Sequence, residues 1–277
     1  MTGSSETNSA PPLRIAIAGF GAIGIKVAAA LDQGVPGCVL TAVAARDLGK
    51  LRDKVAGLKH KVVVTDIDSL EPLADIVIEC APSNLLPQIV SPFLRAGKRA
   101  IVLSIGALLS HGELIELARR HHGQIIAPSG ALLGLDAVAA AAEGTIYSVK
   151  MLTRKPVRGL LGAPYLVENN IDIANITEPM KVFTGTARAA AIGFPANLNV
   201  VAALSLAGIG PDLTTIEVWA DPALTRNTHR IEVDADSASF SMTIANIPSE
   251  NPKTGKITAL SVISCLRKLG APLAVGG

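Results

Sequence analysis

The chain has 277 residues, of which 49% are hydrophobic, 17% charged and 3% aromatic, and its formal net charge is +2. Disordered chains show the opposite balance, so we expect a folded protein of about two domains. No basic tract points to nucleic acid as the main partner. The longest apolar helical segment, residues 131–142, is shorter than the roughly 20 residues that a membrane-spanning helix needs.

The first 12 residues are rich in Ser, Thr, Asn and Pro, which predicts a disordered tail without the features of a secretory signal. The three cysteines, Cys38, Cys80 and Cys265, are scattered and form no CxxC motif. Such a sparse, odd set is typical of reduced thiols in a cytoplasmic protein and not of a disulfide scaffold or a zinc site. We therefore predict a cytoplasmic protein without a bound metal ion.

From residue 14 to residue 127, short β-branched runs alternate with helical segments of about ten residues. The predicted strands are 14–19, 39–45, 62–65, 75–79, 99–104 and 124–127, and the predicted helices are 21–31, 48–58, 85–96 and 111–122. This alternation predicts βαβ units on a parallel sheet. Right-handed crossovers then give an α/β fold with a Rossmann-type, doubly wound sheet.

After Pro128 the pattern changes. A helix is predicted over 131–142, and the strands predicted over 146–153, 215–220, 229–234 and 239–247 alternate between apolar and polar residues. Half-exposed alternation favours an antiparallel or mixed sheet with one solvated face. We expect a second, smaller α+β domain over 128–252 and a final helix over 254–269.

Residues 19–24 read GxGxxG between the first predicted strand and the first predicted helix. Gly19 permits the tight turn, Gly21 lets the backbone approach a pyrophosphate, and Gly24 lets helix and strand pack closely. Ala22 and Ile23 open the helix, whose free N–H groups attract an anion. An ordinary glycine turn is the alternative, but this context favours a dinucleotide, NADP or NAD.

The second predicted strand ends at Ala45-Arg46-Asp47, where dinucleotide-binding domains usually carry an acid that holds the adenosine ribose. A guanidinium at Arg46 suits a 2′-phosphate, because it can bind that group through two hydrogen bonds. We therefore expect acceptance of NADP(H). In the alternative, Arg46 is solvated and Asp47 holds the ribose.

Six further segments, taken in chain order with the glycine loop, resemble the L-aspartate dehydrogenase family over about residues 14–270. The segments FPxNxNV, NxH and NPKT are more specific than the glycine loop. The six segments are Ser104-Ile105-Gly106-Ala107, Ser129-Gly130-Ala131 with Gly134-Leu135-Asp136-Ala137, Thr153-Arg154-Lys155, Phe194-Pro195-Ala196-Asn197-Leu198-Asn199-Val200, Asn227-Thr228-His229 and Asn251-Pro252-Lys253-Thr254.

The resemblance implies an enzyme that interconverts L-aspartate and iminosuccinate with NAD or NADP. Iminosuccinate hydrolyses to oxaloacetate and ammonia, and it feeds NAD biosynthesis. The implied architecture is a Rossmann domain plus a smaller domain that carries the substrate site and the interface of a homodimer. The C-terminal helix returns to the first domain, so we assign residues 13–127 with 253–277 to the Rossmann domain and residues 128–252 to the substrate domain.

The family's catalytic histidine corresponds to His229. A lone histidine at a strand start is usually structural, but imidazole titrates near neutral pH and suits the proton transfer of amine oxidation. The resemblance also implies a set of cofactor contacts beyond Arg46. They are Gly19, Gly21, Ala22, Ile23, Gly24, Cys80, Ala81, Pro82, Ser104, Ile105, Gly106, Ala107, Ala131 and Asn199.

A dicarboxylate substrate needs cations and amides around it. Arg154 and Lys155 follow a predicted strand and are candidate substrate contacts, with a solvated basic pair as the alternative. Arg226 and Arg230, beside His229, are rivals for the same role. Asn197 is a candidate substrate contact that shares a face with Asn199 if the segment is extended, while turn-forming asparagines are the alternative.

Two departures from the family pattern leave other functions open. The family often has an acid where this chain has Arg46, and often Glu where it has Arg230. The second departure motivates an alternative: a related dehydrogenase or imine reductase acting on another amino acid. A non-catalytic dinucleotide-binding protein is a further alternative, against which the retained His229 and Asn199 argue.

Overall fold

The computed structural model describes residues 11–195, 198–249 and 255–276. Its first half forms a parallel sheet with strand order β3-β2-β1-β4-β5-β6. The strands are β1 (Leu13–Ala18), β2 (Cys38–Ala44), β3 (Val63–Thr65), β4 (Ile76–Glu79), β5 (Arg99–Val102) and β6 (Gln124–Ile126). The predicted Rossmann-type sheet is confirmed, and its order reverses between β1 and β4, where such sheets open a ligand crevice.

Helices cover both faces of this sheet. They are α1 (Ala22–Gly34), α2 (Leu48–Val55), α3 (Leu86–Arg95), α4 (Ile105–Leu108), α5 (Gly112–His121) and the C-terminal α11 (Lys256–Gly270). Because side chains alternate along a strand, Ile15 and Ile17 of β1 pack with α1 and α11, whereas Ala16 and Ala18 face α3 and α5. Both apolar faces are therefore buried.

The second sheet has strand order β11-β10-β7-β9-β8. Its strands are β7 (Ile146–Lys155), β8 (Met180–Thr186), β9 (Thr215–Ala220), β10 (Asn227–Ala235) and β11 (Ser239–Asn246). β7 and β9 run parallel and the other neighbours antiparallel, which confirms the mixed sheet. Sequence reasoning missed β8, because a register irregularity between Lys181 and Phe183 interrupts its alternation.

The helices of the second half are α6 (Leu135–Ala142), α7 (Val157–Leu160), α8 (Pro164–Glu168), α9 (Ala187–Gly193) and α10 (Asn199–Ala207). The predicted start of α6 at residue 131 is wrong, because Gly134 adopts a left-handed φ of 66° before the helix begins. α10 was missed because residues 200–205 are buried all round and show no amphipathic period. The shared face of Asn197 and Asn199 was conditional on an extended segment, and that condition is not met at Asn199, which begins this helix.

Several sequence predictions fall on residues that the structure does not describe. Asn197 and residues 251–254 lie outside the described residues, as do residues 1–10 of the predicted disordered tail. Within the described part, none of the helices combines the length and apolar character needed to cross a membrane.

An aromatic cluster anchors the second core. The Phe194 ring lies 5.5 Å from Tyr165 and 5.6 Å from Phe183 between ring centroids, and Phe194 is fully buried. We predict that Phe194→Ala lowers the free energy of unfolding by about 3–5 kcal/mol, because it removes buried apolar area and leaves a cavity. Urea unfolding followed by circular dichroism measures this.

Leu273→Ala is the matched control for that experiment. Leu273 is 76% exposed, so its truncation should change the unfolding free energy by less than about 0.5 kcal/mol. Equal losses in the two variants would contradict the placement of Phe194 in the core.

Candidate active site

The glycine loop crosses the end of the parallel sheet at very short range. Gly19 has a φ of 98°, and a Cβ there would lie 2.4 Å from the carbonyl oxygen of Cys80. A Cβ on Gly24 would lie 2.2 Å from the carbonyl oxygen of Gly19. Both contacts are shorter than a carbon atom permits, so this path of the chain requires glycine at both positions.

Gly21 has a different role from Gly19 and Gly24. No heavy atom lies within 4 Å of a Cβ placed on Gly21, so this backbone is open to the crevice. α1 begins at the next residue, Ala22, and no side chain caps its first N–H groups. Open backbone at a helix N-terminus is what a pyrophosphate requires, so the residues present fit a dinucleotide.

A cleft of about 300 Å³ extends from the glycine loop to the second sheet. The Rossmann half contributes Gly21, Ala22, Ile23, Glu79, Cys80, Ala81, Leu103, Ser104 and Ile105. The remaining wall is formed by Ser129, Gly130, Ala131, Lys155, Asn199, Val200, Ala203, Asn227, His229, Gly255 and Thr258. Most of the predicted cofactor contacts are therefore brought together at one crevice.

His229 lies on β10 opposite Thr153 of β7, on the helix-covered face of the second sheet. Its Nδ1 lies 3.2 Å from Thr153 Oγ1, and the ring is 2% exposed. Burial, with a smaller effect of the Lys155 charge, lowers the pKa of His229 to about 3. The imidazole is therefore neutral, and Nε2 is the ring nitrogen left for a ligand.

Lys155 is the last residue of β7, two positions from Thr153 and therefore on the same face. Its side chain lines the cleft and is almost fully buried, and burial lowers its pKa to about 8. No carboxylate of a described residue pairs with its ammonium group. A buried cation without a counterion attracts an anionic ligand.

The other candidate cations lie elsewhere. Arg154 points to the opposite face of β7, where its Nε lies 3.7 Å from Asp221 and its guanidinium stacks over Trp219. Arg230 is exposed and pairs with Glu232 at 2.8 Å, and Arg226 is exposed outside the cleft. Of these four cations, all of them described residues, Lys155 alone lines the cleft.

Asn199 connects the two halves of the site. At the start of α10, its Oδ1 accepts a hydrogen bond of 2.9 Å from the Gly106 N–H in α4. The N–H of Gly106, a predicted cofactor contact, is therefore already bound to a side chain of the protein. Pro82 directly follows the cleft residue Ala81, and Gly106 and Ala107 follow the cleft residue Ile105, but none of the three forms part of the wall.

Arg46 stands at the carboxyl end of β2, exposed and outside the cleft wall. Its neighbour Asp47 caps α2, accepting a 3.0 Å hydrogen bond from the Lys50 N–H. Only Oδ1 accepts this bond and a carboxylate has about four acceptor positions, so a ribose contact of Asp47 stays the alternative prediction. The guanidinium of Arg46 stays available to solvent and to ligands.

Several residues of the cleft wall were not predicted as site residues, and Glu79 and Asn227 are two of them. Glu79, the last residue of β4, is fully buried, and its signal was an acid at the end of an otherwise apolar strand. Asn227 begins β10 and is 6% exposed; its signal was its position two residues before His229 on the same strand. Both side chains line the cleft.

The Cys80 thiol also lines the cleft, and burial, with a smaller effect of Glu79, raises its pKa well above the usual range. A thiol that stays protonated is a poor nucleophile. Within the described ranges, no three His, Cys, Asp or Glu side chains come together in a group that could hold a metal ion.

Comparison with known proteins gives matches over nearly the whole chain. Residues 19–128 match a family described as "Homoserine dehydrogenase, NAD binding domain", and residues 136–269 match "Aspartate dehydrogenase, C-terminal". The first match confirms the prediction of a nicotinamide dinucleotide, NAD or NADP, as cofactor.

Curated relatives extend the match. An L-aspartate dehydrogenase of Bradyrhizobium diazoefficiens is 60% identical over 98% of this chain and 97% of its own length. L-aspartate dehydrogenase 3 of Bordetella bronchiseptica is 58% identical over 97% of this chain and 99% of its own.

A solved structure shares the fold. The crystal structure of aspartate dehydrogenase from Thermotoga maritima superimposes with a TM-score of 0.73, covering 95% of this chain and 99% of that one at 20% identity. The glycine loop, the histidine on the second sheet and the full-length relatives together establish that this chain belongs to the aspartate dehydrogenase family.

Proposed function

We propose that this chain is an NAD(P)-dependent L-aspartate dehydrogenase, which interconverts L-aspartate and iminosuccinate. Iminosuccinate hydrolyses to oxaloacetate and ammonia, so the reverse reaction is a reductive amination. One observation carries the proposal: a neutral His229 lines the same cleft as the glycine loop, together with Lys155, which pairs with no carboxylate of a described residue. The relatives named L-aspartate dehydrogenase support it.

Lys155 binds a carboxylate of the substrate. Its buried ammonium group gains a counterion that none of the described residues provides. The N-terminus of α10, where Asn199 and Val200 line the cleft, adds the partial positive charge of a helix start. Asn227 supplies an amide that can hold a second polar group of the substrate. These groups orient the substrate Cα toward the Rossmann half of the cleft.

His229 holds or releases a proton at Nε2. When its Nδ1–H donates to Thr153 Oγ1, Nε2 carries the lone pair that accepts a proton from the substrate nitrogen or from water. Burial is the larger cause of the low pKa of His229 and the Lys155 charge the smaller one. Substrate carboxylates beside Lys155 offset the smaller effect and so favour protonation of His229. The bound dinucleotide supplies nicotinamide C4 as hydride acceptor for the substrate Cα.

The position of Arg230 argues against the alternative of a dehydrogenase or imine reductase that acts on another amino acid. This residue departs from the family pattern next to His229, but it lies on the outer face of the sheet and pairs with Glu232. Its charge therefore contacts solvent and a carboxylate, and it does not line the cleft. L-aspartate thus remains the favoured substrate.

We further propose that residues 13–127 with 253–277 form the cofactor domain and residues 128–252 the substrate domain, since α11 packs on α1 and β2. We also propose that the chain forms a homodimer, the commonest symmetric assembly of homo-oligomeric proteins. The three free cysteines favour a reducing, cytoplasmic location. The iminosuccinate formed would serve NAD biosynthesis.

We predict that His229→Ala lowers kcat by about 10²–10⁴-fold, because the proton acceptor is lost. The dissociation constant for the reduced cofactor, measured by fluorescence titration, should stay within twofold. His60→Ala is the control, since His60 is 72% exposed and pairs with Asp32 far from the cleft wall. Turnover of His229→Ala near the wild-type rate would refute the proposed role.

Lys155 predicts a pH dependence of dicarboxylate binding. Above its pKa of about 8 the lysine loses its charge, so the inhibition constant of succinate should be flat below pH 7 and rise above pH 8 by up to about tenfold per unit. Lys155→Met should bind succinate weakly at every pH.

Arg154→Met is the matched control for Lys155, because it removes the adjacent cation on the opposite face of the strand. It should retain the wild-type inhibition profile. A wild-type inhibition constant in Lys155→Met would exclude this lysine as the carboxylate contact.

Arg46 predicts that the wild-type enzyme accepts NADPH. Arg46→Ala should raise the KM for NADPH about tenfold and change the KM for NADH less than twofold, because a single charge-assisted contact to the 2′-phosphate is lost. Arg52→Ala, which removes an exposed arginine of α2, serves as the control. A strong preference of the wild type for NADH would contradict the prediction.

A further inference from the structure

A buried carboxylate in the cleft has no part in the proposed reaction. Glu79 is fully buried, and its oxygens accept four hydrogen bonds. Oε1 accepts from the Ala81 N–H at 3.1 Å and the Ser104 hydroxyl at 3.0 Å. Oε2 accepts from the N–H groups of Leu103 at 3.1 Å and Ser104 at 2.8 Å.

The chemistry of these partners defines the state of Glu79. An ionised carboxylate accepts at about four lone-pair positions, and all four are filled by donors. Burial raises the pKa of Glu79, and the hydrogen bonds from Ser104, Leu103 and Ala81 oppose that effect. The side chain is therefore fully hydrogen-bonded and joins two segments of backbone.

Those two segments are the loops that follow β4 and β5. Cys80 and Ala81 belong to the first loop, Leu103 and Ser104 to the second, and all four line the cleft. β1, which leads into the glycine loop, lies between β2 and β4 in the sheet. β2 ends near Arg46. A dinucleotide whose adenosine half lies toward β2 therefore places its nicotinamide half over the loops that Glu79 joins.

We propose that Glu79 is a positioning residue for the nicotinamide half of the dinucleotide. This role rests on the proposed use of NAD(P). In it, Glu79 holds the two loops at a fixed distance from each other. Without the carboxylate, buried N–H groups of Ala81, Leu103 or Ser104 lose their acceptor, and the floor of this half of the cleft rearranges. None of the four hydrogen bonds of Glu79 comes from the glycine loop, so that loop should keep its shape.

The test compares a whole dinucleotide with a fragment that lacks nicotinamide. The wild type is titrated with NADH and NADPH to find which dinucleotide it binds more tightly. That dinucleotide is then compared with the fragment that lacks nicotinamide, which is ADP-ribose for NADH and the 2′-phosphate of ADP-ribose for NADPH. Glu79→Gln offers one acceptor oxygen in place of two. Its dissociation constant for the dinucleotide should rise about tenfold, whereas that for the fragment should change less than twofold.

Asp75→Asn is the matched control at the opposite end of β4. Asp75 accepts a 2.9 Å hydrogen bond from the Arg14 N–H and another from its guanidinium, so it joins strands much as Glu79 does but away from the cleft. This variant should lower the Tm and leave both dissociation constants unchanged. It separates a general loss of stability from a local effect on the nicotinamide half.

Glu79→Asp provides a second variant if Glu79→Gln fails to fold. It keeps the charge, but its side chain is one methylene shorter and cannot span both loops, so the same split between dinucleotide and fragment is expected. Equal changes in the two constants, or no change in either, would overturn the positioning role. Failure of the wild type to bind either dinucleotide would instead overturn the proposed function.

Discussion

The close approach of the glycine loop to the end of β4 is the constraint on which the site depends. At Gly19 the backbone passes so near the Cys80 carbonyl that no side chain fits, and at Gly24 the first turn of α1 lies against the same loop. These contacts set α1 over the sheet edge with its N-terminus toward the crevice. Binding of an anionic cofactor follows from that placement.

Burial then sets the electrostatics of the substrate half. His229 and Lys155 lie on the helix-covered face of the second sheet, where removal from water disfavours the charged form of each. The result is a neutral base beside a cation that has no counterion among the residues the structure describes. Burial of this pair lowers the stability of the fold but favours binding of a carboxylate. Such perturbed groups are typical of functional sites.

Hydrogen bonds from helices and strands of both halves hold the wall between these two regions. Asn199 accepts from Gly106, Asn246 donates to the Ala131 carbonyl at 2.8 Å, and Ser261 accepts from the Gly130 N–H at 3.1 Å. Each joins backbone at the cleft to a distant segment of the chain. The cleft therefore keeps its shape through contacts that link both sheets, with Glu79 adding the corresponding link at the floor.

Local sequence determined the parallel sheet, the glycine loop and the choice of His229, because strand periodicity, glycine spacing and short motifs are properties of adjacent residues. β8 and α10 escaped prediction because an irregular register and burial on all sides remove the periodic signal. Tertiary structure alone decided that Lys155 enters the cleft while Arg154 does not, and that Glu79 joins two loops. Those outcomes depend on which strand face is covered and which strands are neighbours, and residues far apart in sequence control both.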